Sequence, residues 1–450
     1  MSKRPYGVPD KLPLEYDQAL TTHCNRLHKI QVTAEFSNSC SVANHIQDTN
    51  LSQLPADSAT ANLPRHPTLS LDYLEPKARS QFSGVCQGID LKFTYDGQGA
   101  LYQVFSSLRR NGRRYALLPA FHCPTVVEPA IRAGLTPRFY RINEDLSIDY
   151  RSFEDGLDRH VAAALIIDYF GFPSNVSLIK TQCEDCGVAV VEDCAHSFLH
   201  ANPIRLAGDR GDLAIYSFKK IMPTQLGGGI RNNSDNIFLD HQLRRPPLFD
   251  SLKHLKLILD NSIAYSRSNR VKDFSNFLHR IRSIIRRKEL AENSNRKSQP
   301  EDTRFDYPFH LHLANSAMPW YSKRILLMSD LDRVVRARRR NFRIFQAGIS
   351  EIDQLSLPFA ELNKSACPWA FPVLLEDRSH HDHQLQSLGV PLFTFGETLH
   401  PKLLDGTAAN SEAIDSARFL SSRMLCFSIH QGISADLQPR LADMIVNHFD

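Results

Sequence analysis

The chain contains an acidic motif and a serine–lysine motif whose side chains suit one kind of chemistry. Asp193 follows the apolar run 188–191, and Ser217 and the pair Lys219–Lys220 follow the run 213–216. A carboxylate can keep a ring nitrogen protonated, an amine can bond to an aldehyde, and a hydroxyl can bind a phosphate. Pyridoxal phosphate requires these three functions together, so it is the cofactor that the pattern favours.

Lys220 is the residue that we expect to bind the aldehyde, and Lys219 remains the competing choice. The amine must be neutral to attack a carbonyl, and burial beside a cofactor would lower its pKa. Both lysines lie shortly before the glycine run 227–229, where an ordinary solvated charge is a less attractive explanation. Asp193 is expected at the pyridine nitrogen, although aspartate also favours helix N-caps. His196 is expected against the ring, with an ordinary helix-face position as the alternative.

The phosphate is expected to bind backbone N–H groups of Gly97 and Gln98 at a helix N-terminus, together with the Ser217 hydroxyl. Glycine permits the close backbone approach that an anion requires. A helix-starting turn without a ligand would have a similar sequence, so this motif alone does not decide the point.

Short apolar runs alternate with helix-like stretches from residue 94 onwards. The strands that we predict in this region are Tyr115–Pro119, Arg138–Ile142, Ala162–Tyr169, Val188–Val191 and Leu213–Tyr216. Such alternation predicts an α/β fold with a parallel sheet covered by helices on both faces. Ligands of these sheets bind beyond the carboxyl ends of the strands, which is where Asp168, Asp193 and Lys220 are expected to converge.

Composition is that of a globular protein. The 450 residues are 42% hydrophobic and 23% charged, with a formal net charge of +4, and no run resembles a membrane span. The N-terminus lacks the apolar region of a secretory signal, so we expect a cytoplasmic protein. Among the nine cysteines only Cys183 and Cys186 form a close pair. Without a second pair they do not form a zinc site, and we expect ordinary thiols and no metal.

Changes in composition and sequence pattern along the chain predict four regions. Residues 1–85 are polar and irregular and form an N-terminal extension, and residues 86–245 form the large cofactor-binding core. Residues 246–305 form a basic helical insertion, and residues 306–450 form a connecting helix and a small C-terminal α/β domain. Within the last region we predict one long helix from Tyr321 to Phe345 and a strand from Ala370 to Leu375.

The segment 253–288 has the pattern of a basic amphipathic helix. Such a helix can lie on an anionic membrane surface, so a peripheral membrane contact is one hypothesis. A solvated helical insertion or a contact between subunits are the alternatives. The segment lacks the interleaved exposed aromatic residues of a stacking surface, and nucleic-acid binding is therefore not expected.

Five segments, in order, resemble motifs of the pyridoxal-phosphate sugar aminotransferases of the DegT/StrS group. They are Asp96–Leu101, Leu118–Pro137, Asp168–Pro173, Glu192–His196 and Gly211–Phe218 with the glycine run that follows. The similarity extends from about residue 91 to the C-terminus. It implies a fold-type I transferase with a mostly parallel seven-stranded sheet and a smaller C-terminal domain.

The resemblance also implies an activity. Family members move an amino group, here expected to come from glutamate, to a keto sugar that is expected to be nucleotide-linked, in amino-sugar or polysaccharide biosynthesis. Lys220 would then move the proton between the substrate carbon and the cofactor. The fold builds its site at a dimer interface, so a homodimer is expected.

Several positions resemble the family only in part. Phe121 or His122 is expected to stack on the ring or face the substrate, although the family's aromatic residue aligns most nearly with Cys123. His430 lies in a segment similar to one that borders the substrate pocket, with a structural role as the alternative. Asn315 occupies the region of an Asn-x-Arg motif whose arginine is absent, which places the cross-subunit phosphate contact in doubt.

Three alternatives remain open from the sequence. The chain is consistent with a pyridoxal-phosphate enzyme that performs another reaction on a sugar, although the lysines argue against the histidine-based dehydratases of this fold. It is also consistent with a catalytically inactive or regulatory homologue, given the short lysine loop and the missing arginine. A membrane-peripheral assembly protein is the third alternative.

Overall fold

The computed structural model describes residues 63–70, 73–74, 80–110, 112–239, 242–265, 309–406 and 409–450. Most of the predicted N-terminal extension and residues 266–308 lie outside these ranges. The expectations for residues 1–62 and for the basic segment beyond Tyr265 therefore concern residues outside the described part of the chain.

Two sheets organise the described residues. The strands of the larger sheet are β1 (Asp90–Thr94), β2 (Tyr115–Pro119), β3 (Thr136–Tyr140), β4 (Val161–Ile167), β5 (Ala189–Asp193), β8 (Leu213–Ser217) and β9 (Gly228–Asn232). A separate hairpin consists of β6 (Leu199–Ala201) and β7 (Ile204–Leu206). The smaller sheet contains β10 (Leu355–Ser356), β11 (Ala370–Leu375), β12 (Leu392–Thr394) and β13 (Met424–Ser428).

The larger sheet has the strand order β1-β9-β8-β5-β4-β2-β3. Neighbouring strands from β8 to β3 pair in parallel, whereas β9 runs antiparallel to both β8 and β1. All seven residues of the central strand β4 are buried, as expected when both faces of a parallel sheet are covered. The expected mostly parallel seven-stranded sheet is therefore confirmed.

Helices cover both faces of this sheet and one side of the smaller one. They are α1 (Gln81–Val85), α2 (Gly97–Leu108), α3 (Val127–Arg132), α4 (Tyr150–Gly156), α5 (Val176–Asp185), α6 (Leu248–Ala264), α7 (Trp320–Met328), α8 (Leu331–Ile349), α9 (Arg378–Ser387), α10 (Pro401–Leu404), α11 (Ser411–Arg423) and α12 (Leu437–Phe449). Helix α2 packs with α3 against one face of the large sheet, and α8 packs against α12 beside the smaller antiparallel sheet.

The prediction of one long helix from Tyr321 to Phe345 is wrong, because the structure contains two helices in this range. Helix α7 ends before Ser329, whose backbone is extended, and Asp330 caps α8 by accepting a hydrogen bond from the N–H of Arg333 at 3.0 Å. Aspartate is a preferred N-cap because its carboxylate satisfies an amide without an intrahelical partner. This local cap interrupts an otherwise continuous helical pattern.

Helix α6 is the described part of the predicted basic insertion. It exposes large apolar side chains, among them Leu248, Phe249, Leu252 and Leu259. Among the residues that the structure describes, no helix has the length and apolar character needed to cross a bilayer.

Candidate active site

A cavity of about 190 Å³ lies beyond the carboxyl ends of β5 and β8. Its walls include Asp193 and His196 after β5, Ser217 and Lys220 after β8, and the first turn of α2. Parallel strands bring their carboxyl ends to one edge of the sheet, which is why motifs far apart in sequence meet here.

Asp193 is a buried carboxylate at the floor of this cavity. Its Oδ1 accepts a hydrogen bond from the N–H of Ala195 at 2.9 Å. Burial raises the pKa of Asp193, whereas the nearby Lys220 ammonium and this hydrogen bond oppose the shift. A cationic ring nitrogen at this position would favour the ionised carboxylate, so the site suits a protonated pyridine.

Lys219 and Lys220 lie on the single 3₁₀ turn Phe218–Lys220 but have different surroundings. Burial lowers the pKa of the Lys220 ammonium to about 8, an effect that Cys123 and Asp193 partly oppose. The Nζ atom of Lys220 lies 4.6 Å from the centre of the Trp369 ring. Lys219 is exposed at the cavity rim. Lys220 is therefore the better nucleophile of the two near neutral pH.

The first turn of α2 approaches Ser217 because residue 97 is glycine. A Cβ at Gly97 would lie 3.2 Å from the Cβ of Ser217. The side chain of Asp96 caps the N–H of Gly99 at 2.8 Å, and the earlier amides of Gly97 and Gln98 have no intrahelical partner available. These amides and the Ser217 hydroxyl form a set of donors suited to a phosphate.

His196 is enclosed by rings from both parts of the fold. Its Nδ1 accepts a hydrogen bond from the N–H of Phe170 at 3.2 Å, and its ring lies 4.2 Å from that of Trp369 and 5.0 Å from that of Phe395. Burial holds the pKa of His196 well below its usual value. The imidazole is therefore neutral, with its proton on Nε2.

Phe170 positions this histidine through an uncommon backbone conformation. Its φ is +52°, a left-handed value that non-glycine residues seldom adopt. In this conformation its N–H reaches His196 and its carbonyl accepts from the N–H of Trp369 at 2.8 Å. Strain of this kind concentrates at functional sites, and here it connects His196, which lines the cavity, to Trp369.

Neither Phe121 nor His122 lines the cavity, and Cys123 does. Phe121 packs edge-on against Phe395 in the core. The Nδ1–H of His122 donates to the carbonyl of Pro119 at 2.8 Å, and its ring stacks on Phe139. Both rings turn inward at the end of β2, so the thiol of Cys123 is the side chain of this triplet that faces the site.

His430 is buried and has a neighbour at each ring nitrogen. Its Nε2–H donates to the carbonyl of Pro64 at 2.8 Å, and its Nδ1 accepts from the N–H of Gly432 at 3.1 Å. Burial lowers its pKa to about 3, so the ring is neutral. The structure therefore places His430 beneath the N-terminal segment and outside the wall of the cavity.

Asp168 ends β4 next to Asp193 but its carboxylate faces another buried polar group. Arg210 approaches it at 3.4 Å and contacts Glu192 at 2.8 Å, and Ser197 donates to Asp168 at 3.1 Å. Burial raises the pKa of Asp168 to about 6, against the effect of Arg210. This cluster supports the loop after β5 on the side away from the cavity. The prediction that Asp168, Asp193 and Lys220 converge on one site is therefore wrong for Asp168, whose carboxylate lies in a neighbouring polar cluster.

Asn315 lies in its own subunit beside the start of α2. Its carbonyl accepts a hydrogen bond from the N–H of Arg244 at 2.8 Å, and its side-chain oxygen is buried without a partner among the described residues.

The tertiary structure adds residues that the sequence did not single out. Trp369 directly precedes β11 and Phe395 directly follows β12, and both rings lie close to Lys220 and His196. Arg338, on α8, is fully buried and donates to the carbonyls of Ile221 and Trp369. The position of Arg338 on the apolar face of a helical pattern could have predicted that it is buried. Because other arginines surround it at 336–340, its position did not distinguish it from them.

The residues present fit pyridoxal phosphate. The cavity offers a buried carboxylate at Asp193, an amine with a lowered pKa at Lys220 and phosphate donors at the start of α2. In addition, the side-chain nitrogen of Gln98 is buried without a partner among the described residues. An unpaired buried donor beside an anion site is costly unless a ligand satisfies it.

Comparison with known proteins agrees with this geometry. Residues 94–242 match the model of the DegT/DnrJ/EryC1/StrS aminotransferase family. A GDP-perosamine synthase from Vibrio cholerae is 25% identical over 152 residues, which are 33% of this chain and 41% of that protein. The chain thus spans about two fifths of the length of this relative.

Solved structures share the fold at low sequence identity. PseC, an aminotransferase of pseudoaminic acid biosynthesis from Helicobacter pylori, is 14% identical, with a TM-score of 0.59 over 85% of this chain and 98% of its own. The sugar aminotransferase Spr1654 from Streptococcus pneumoniae, described as a putative enzyme and solved in its PLP form, is 12% identical, with a TM-score of 0.59 over 86% of this chain and 98% of its own. Residues 94–242, which supply most of the cavity lining, are thus similar to the DegT/DnrJ/EryC1/StrS aminotransferase family.

Proposed function

We propose that this protein is a pyridoxal-phosphate-dependent aminotransferase that moves an amino group from an amino donor to a keto sugar. The observation that carries the proposal is the convergence of Asp193, Lys220 and the start of α2 on one cavity. These are the three contacts that the cofactor requires at its ring nitrogen, aldehyde and phosphate.

Each residue has a distinct role in the proposed reaction. When bound, pyridoxal phosphate supplies an electron sink that stabilises negative charge on a substrate carbon. Asp193 would hold the protonated ring nitrogen and balance its charge. The Nζ atom of Lys220 would hold the cofactor at its aldehyde, and as a free amine would take the proton from the substrate carbon and return it. A pKa of about 8 leaves an appreciable fraction of this amine neutral near pH 7.

His196 and the start of α2 hold the cofactor in place. Phe170 and Trp369 restrain the orientation of the neutral His196 imidazole, which would lie against the cofactor ring. The amides of Gly97 and Gln98 and the hydroxyl of Ser217 would bind the phosphate. Trp369 and Phe395 lie close to the amine of Lys220 and reduce its contact with water.

The substrate class is inferred from the relatives. One is named GDP-perosamine synthase and another takes part in the biosynthesis of pseudoaminic acid. We infer that the acceptor is a nucleotide-linked keto sugar, that glutamate is the donor, and that the product enters amino-sugar or polysaccharide biosynthesis.

An absorbance spectrum after addition of pyridoxal phosphate tests the proposal. We expect a visible band at about 400–430 nm in the wild-type protein and in Lys219→Ala, and its loss in Lys220→Ala. Because Lys219 is the adjacent residue with the same side chain, it is the matched control. Bleaching of the band by glutamate would then identify the amino donor.

Three outcomes would contradict the proposal or part of it. A wild-type protein without the band would favour an inactive or regulatory homologue. A band that survives in Lys220→Ala and disappears in Lys219→Ala would transfer the role to Lys219. A band that glutamate leaves unchanged, while a sugar substrate is dehydrated, would instead favour a different reaction type.

A homodimer is also part of the proposal. Phe238 and Phe249 are 79% and 80% exposed, and Leu248 and Trp320 are both 73% exposed. Exposed apolar side chains that lie together often mark a protein–protein contact, and Leu248 and Phe249 are adjacent on α6. Sedimentation velocity should show a dimer that Phe249→Asp weakens, whereas a wild-type monomer at micromolar concentration would exclude it.

We place the protein in the cytoplasm, with a membrane-peripheral position as the alternative. The seven cysteines of the described residues are free thiols, as is usual in a reducing compartment. A contact with anionic lipid would involve the basic segment 253–288. Pelleting with anionic vesicles that is abolished by neutralising Arg286, Arg287 and Lys288 would favour the membrane position.

A further inference from the structure

A second concave surface lies at the amino ends of β2 and β3 and is lined by arginines. Its volume is about 760 Å³, and we call it the arginine pocket; its cationic lining residues are Arg109, Arg110, Arg113, Arg114 and Arg132. Because β2 and β3 run parallel to β5 and β8, their amino ends lie at the edge of the sheet opposite Asp193 and Lys220. The arginine pocket is therefore separate from the proposed active site.

Most of the positive charge in this pocket has no counter-charge. Arg109, Arg110 and Arg114 are exposed and have no ion pair or side-chain hydrogen bond within the described residues. The carboxylate of Glu128 lies 3.5 Å from the Nε atom of Arg132. No acidic residue belongs to the lining of the pocket in the described part of the chain.

The loop that carries these arginines has a fixed course. The carbonyl of Gly112 accepts a hydrogen bond from Nδ1 of His160 at 3.1 Å, and the N–H of Arg114 donates to the carbonyl of His160 at 2.7 Å. The guanidinium of Arg113 donates to the carbonyl of Val161 at 2.6 Å. Side chains that a fixed backbone presents to a ligand have less freedom to lose when the ligand binds.

The ends of two helices explain only part of this charge. Arg109 and Arg132 lie at the C-termini of α2 and α3, where cations are favourable because each terminus carries roughly −0.5 of an elementary charge. Two such termini and the Glu128 carboxylate leave an excess of about three positive charges. Arg113 and Arg114 lie beyond the last turn of α2, where the effect of the helix terminus has fallen off.

A buried hydroxyl group belongs to the wall of the same pocket. Ser106 is one of the lining residues, and its Oγ atom is shielded from solvent without a hydrogen-bond partner among the described residues. An unpaired buried hydroxyl is costly, and an oxyanion in the pocket would provide an acceptor for it. This observation is independent of the arginine charges and also indicates an anionic ligand.

We propose that the arginine pocket binds a ligand that carries two or more phosphate groups. The planar guanidinium group matches the geometry of phosphate oxygens, and one phosphate of charge about −2 would not balance an excess of about three positive charges. The volume of the pocket is that of a small-molecule site. The phosphates belong either to a free oligophosphate or to the headgroup of a phosphoinositide lipid. The proposal does not depend on the reaction at Lys220.

Titration calorimetry with inorganic diphosphate tests the proposal. The full chain is first loaded with pyridoxal phosphate, so that the phosphate site at the start of α2 is filled. We expect diphosphate to bind the wild type, and its Kd to rise about 10-fold in the double variant Arg109→Met/Arg114→Met, because two charged contacts are lost. Added salt should weaken binding to the wild type more than to the double variant.

Two further variants separate binding from folding and from net charge. Arg418→Met/Arg440→Met removes the same charge from exposed positions on α11 and α12 that do not line the pocket, and should leave the Kd unchanged. Ser106→Ala should raise the Kd about 2- to 3-fold without lowering the Tm of the diphosphate-free protein, since its hydroxyl has no bond to lose. All variants should keep the visible cofactor band. A wild type without that band would contradict the proposed function and leave the calorimetric comparison valid.

Vesicles distinguish the two sources of phosphate. Pelleting with phosphatidylcholine vesicles that contain a phosphatidylinositol bisphosphate assigns a lipid headgroup if Arg109→Met/Arg114→Met abolishes it and neutralising Arg286, Arg287 and Lys288 does not. Diphosphate binding without such pelleting assigns a free ligand, and both results together support a site that accepts either. A wild type that binds neither probe, or binding that the double variant leaves unchanged, would overturn the proposal.

Discussion

At the scale of residues, two adjacent lysines differ in their surroundings, and this difference distinguishes the proposed nucleophile from a surface charge. Lys219 and Lys220 share a 3₁₀ turn, in which neighbouring side chains point about 120° apart. One therefore faces solvent at the cavity rim and the other is enclosed beneath Trp369. The enclosure lowers the pKa of Lys220 to about 8, which is the property that the proposed reaction requires.

Asp168 leads to a prediction about stability and pH. Burial raises its pKa from 3.8 to about 6, so folding favours the protonated acid. The stabilising contribution is complete below pH 4 and is lost as the pH rises through 6. Between pH 4 and pH 7, we expect the free energy of unfolding of the wild type to fall by on the order of 2–3 kcal/mol relative to that of Asp168→Asn.

Urea unfolding of both proteins across this range measures the difference. Asp158→Asn is the control with the opposite sign, because Arg138 and the N–H of His160 lower the pKa of Asp158. The stabilisation from Asp158 is present above its unfolded pKa and is lost as the pH falls. A difference between wild type and Asp168→Asn that does not depend on pH would show that Asp168 remains ionised throughout.

At the scale of elements, the cavity depends on how closely β9 and the start of α2 approach each other. Gly228 opens β9, and a Cβ added there would lie 2.1 Å from the carbonyl oxygen of Asp96, the N-cap of α2. Asp96 in turn determines where the first turn of α2 begins. A glycine in the run 227–229 therefore controls the geometry of the proposed phosphate site from a neighbouring strand.

We expect Gly228→Ala to destabilise the fold by about 2–3 kcal/mol, because backbone atoms must move to accept the methyl group. Affinity for pyridoxal phosphate should also fall, since the capping residue moves. Thermal unfolding and the cofactor band measure the two effects. Gly84→Ala is the control, because a Cβ there meets no atom within 4 Å and alanine is the better helix former. Equal stability of the two variants would show that β9 can shift away from α2 at little cost.

At the scale of the whole molecule, Arg338 joins the two sheets of the described chain. It donates to the carbonyl of Ile221 beside the lysine turn, to those of Pro368 and Trp369 before β11, and to the side chain of Gln431. Burial lowers the pKa of this guanidinium to about 10, and no carboxylate pairs with it in the described residues. Its hydrogen bonds to carbonyls hold Trp369 over Lys220.

We expect Arg338→Met to lower the free energy of unfolding by about 3–5 kcal/mol, because several buried carbonyls lose their donor. The band of bound cofactor should weaken as Trp369 loses its support. Arg340→Met on the same helix is the control, since Arg340 is exposed and its side chain bonds only to Asn341 in the described structure. Denaturant unfolding compares the two. A loss below about 1 kcal/mol in Arg338→Met would mean that water replaces the guanidinium.

The sequence by itself determined the large sheet and the residues at its strand ends. Val188 to Val191 and Leu213 to Tyr216 are short buried runs, and such runs place Asp193 and Lys220 at the edge where parallel sheets bind ligands. This inference required no tertiary information because strand period and chain order are local properties.

Tertiary structure decided what surrounds those residues. Side chains from distant elements decide which of the two adjacent lysines is enclosed. They also decide that Cys123 faces the cavity while Phe121 and His122 face the core. The same holds for Trp369, Phe395 and Arg338, which come near the lysine turn only because the smaller sheet packs beside the larger one. Burial and electrostatic fields are sums over spatial neighbours, and the order of residues along the chain does not specify those neighbours.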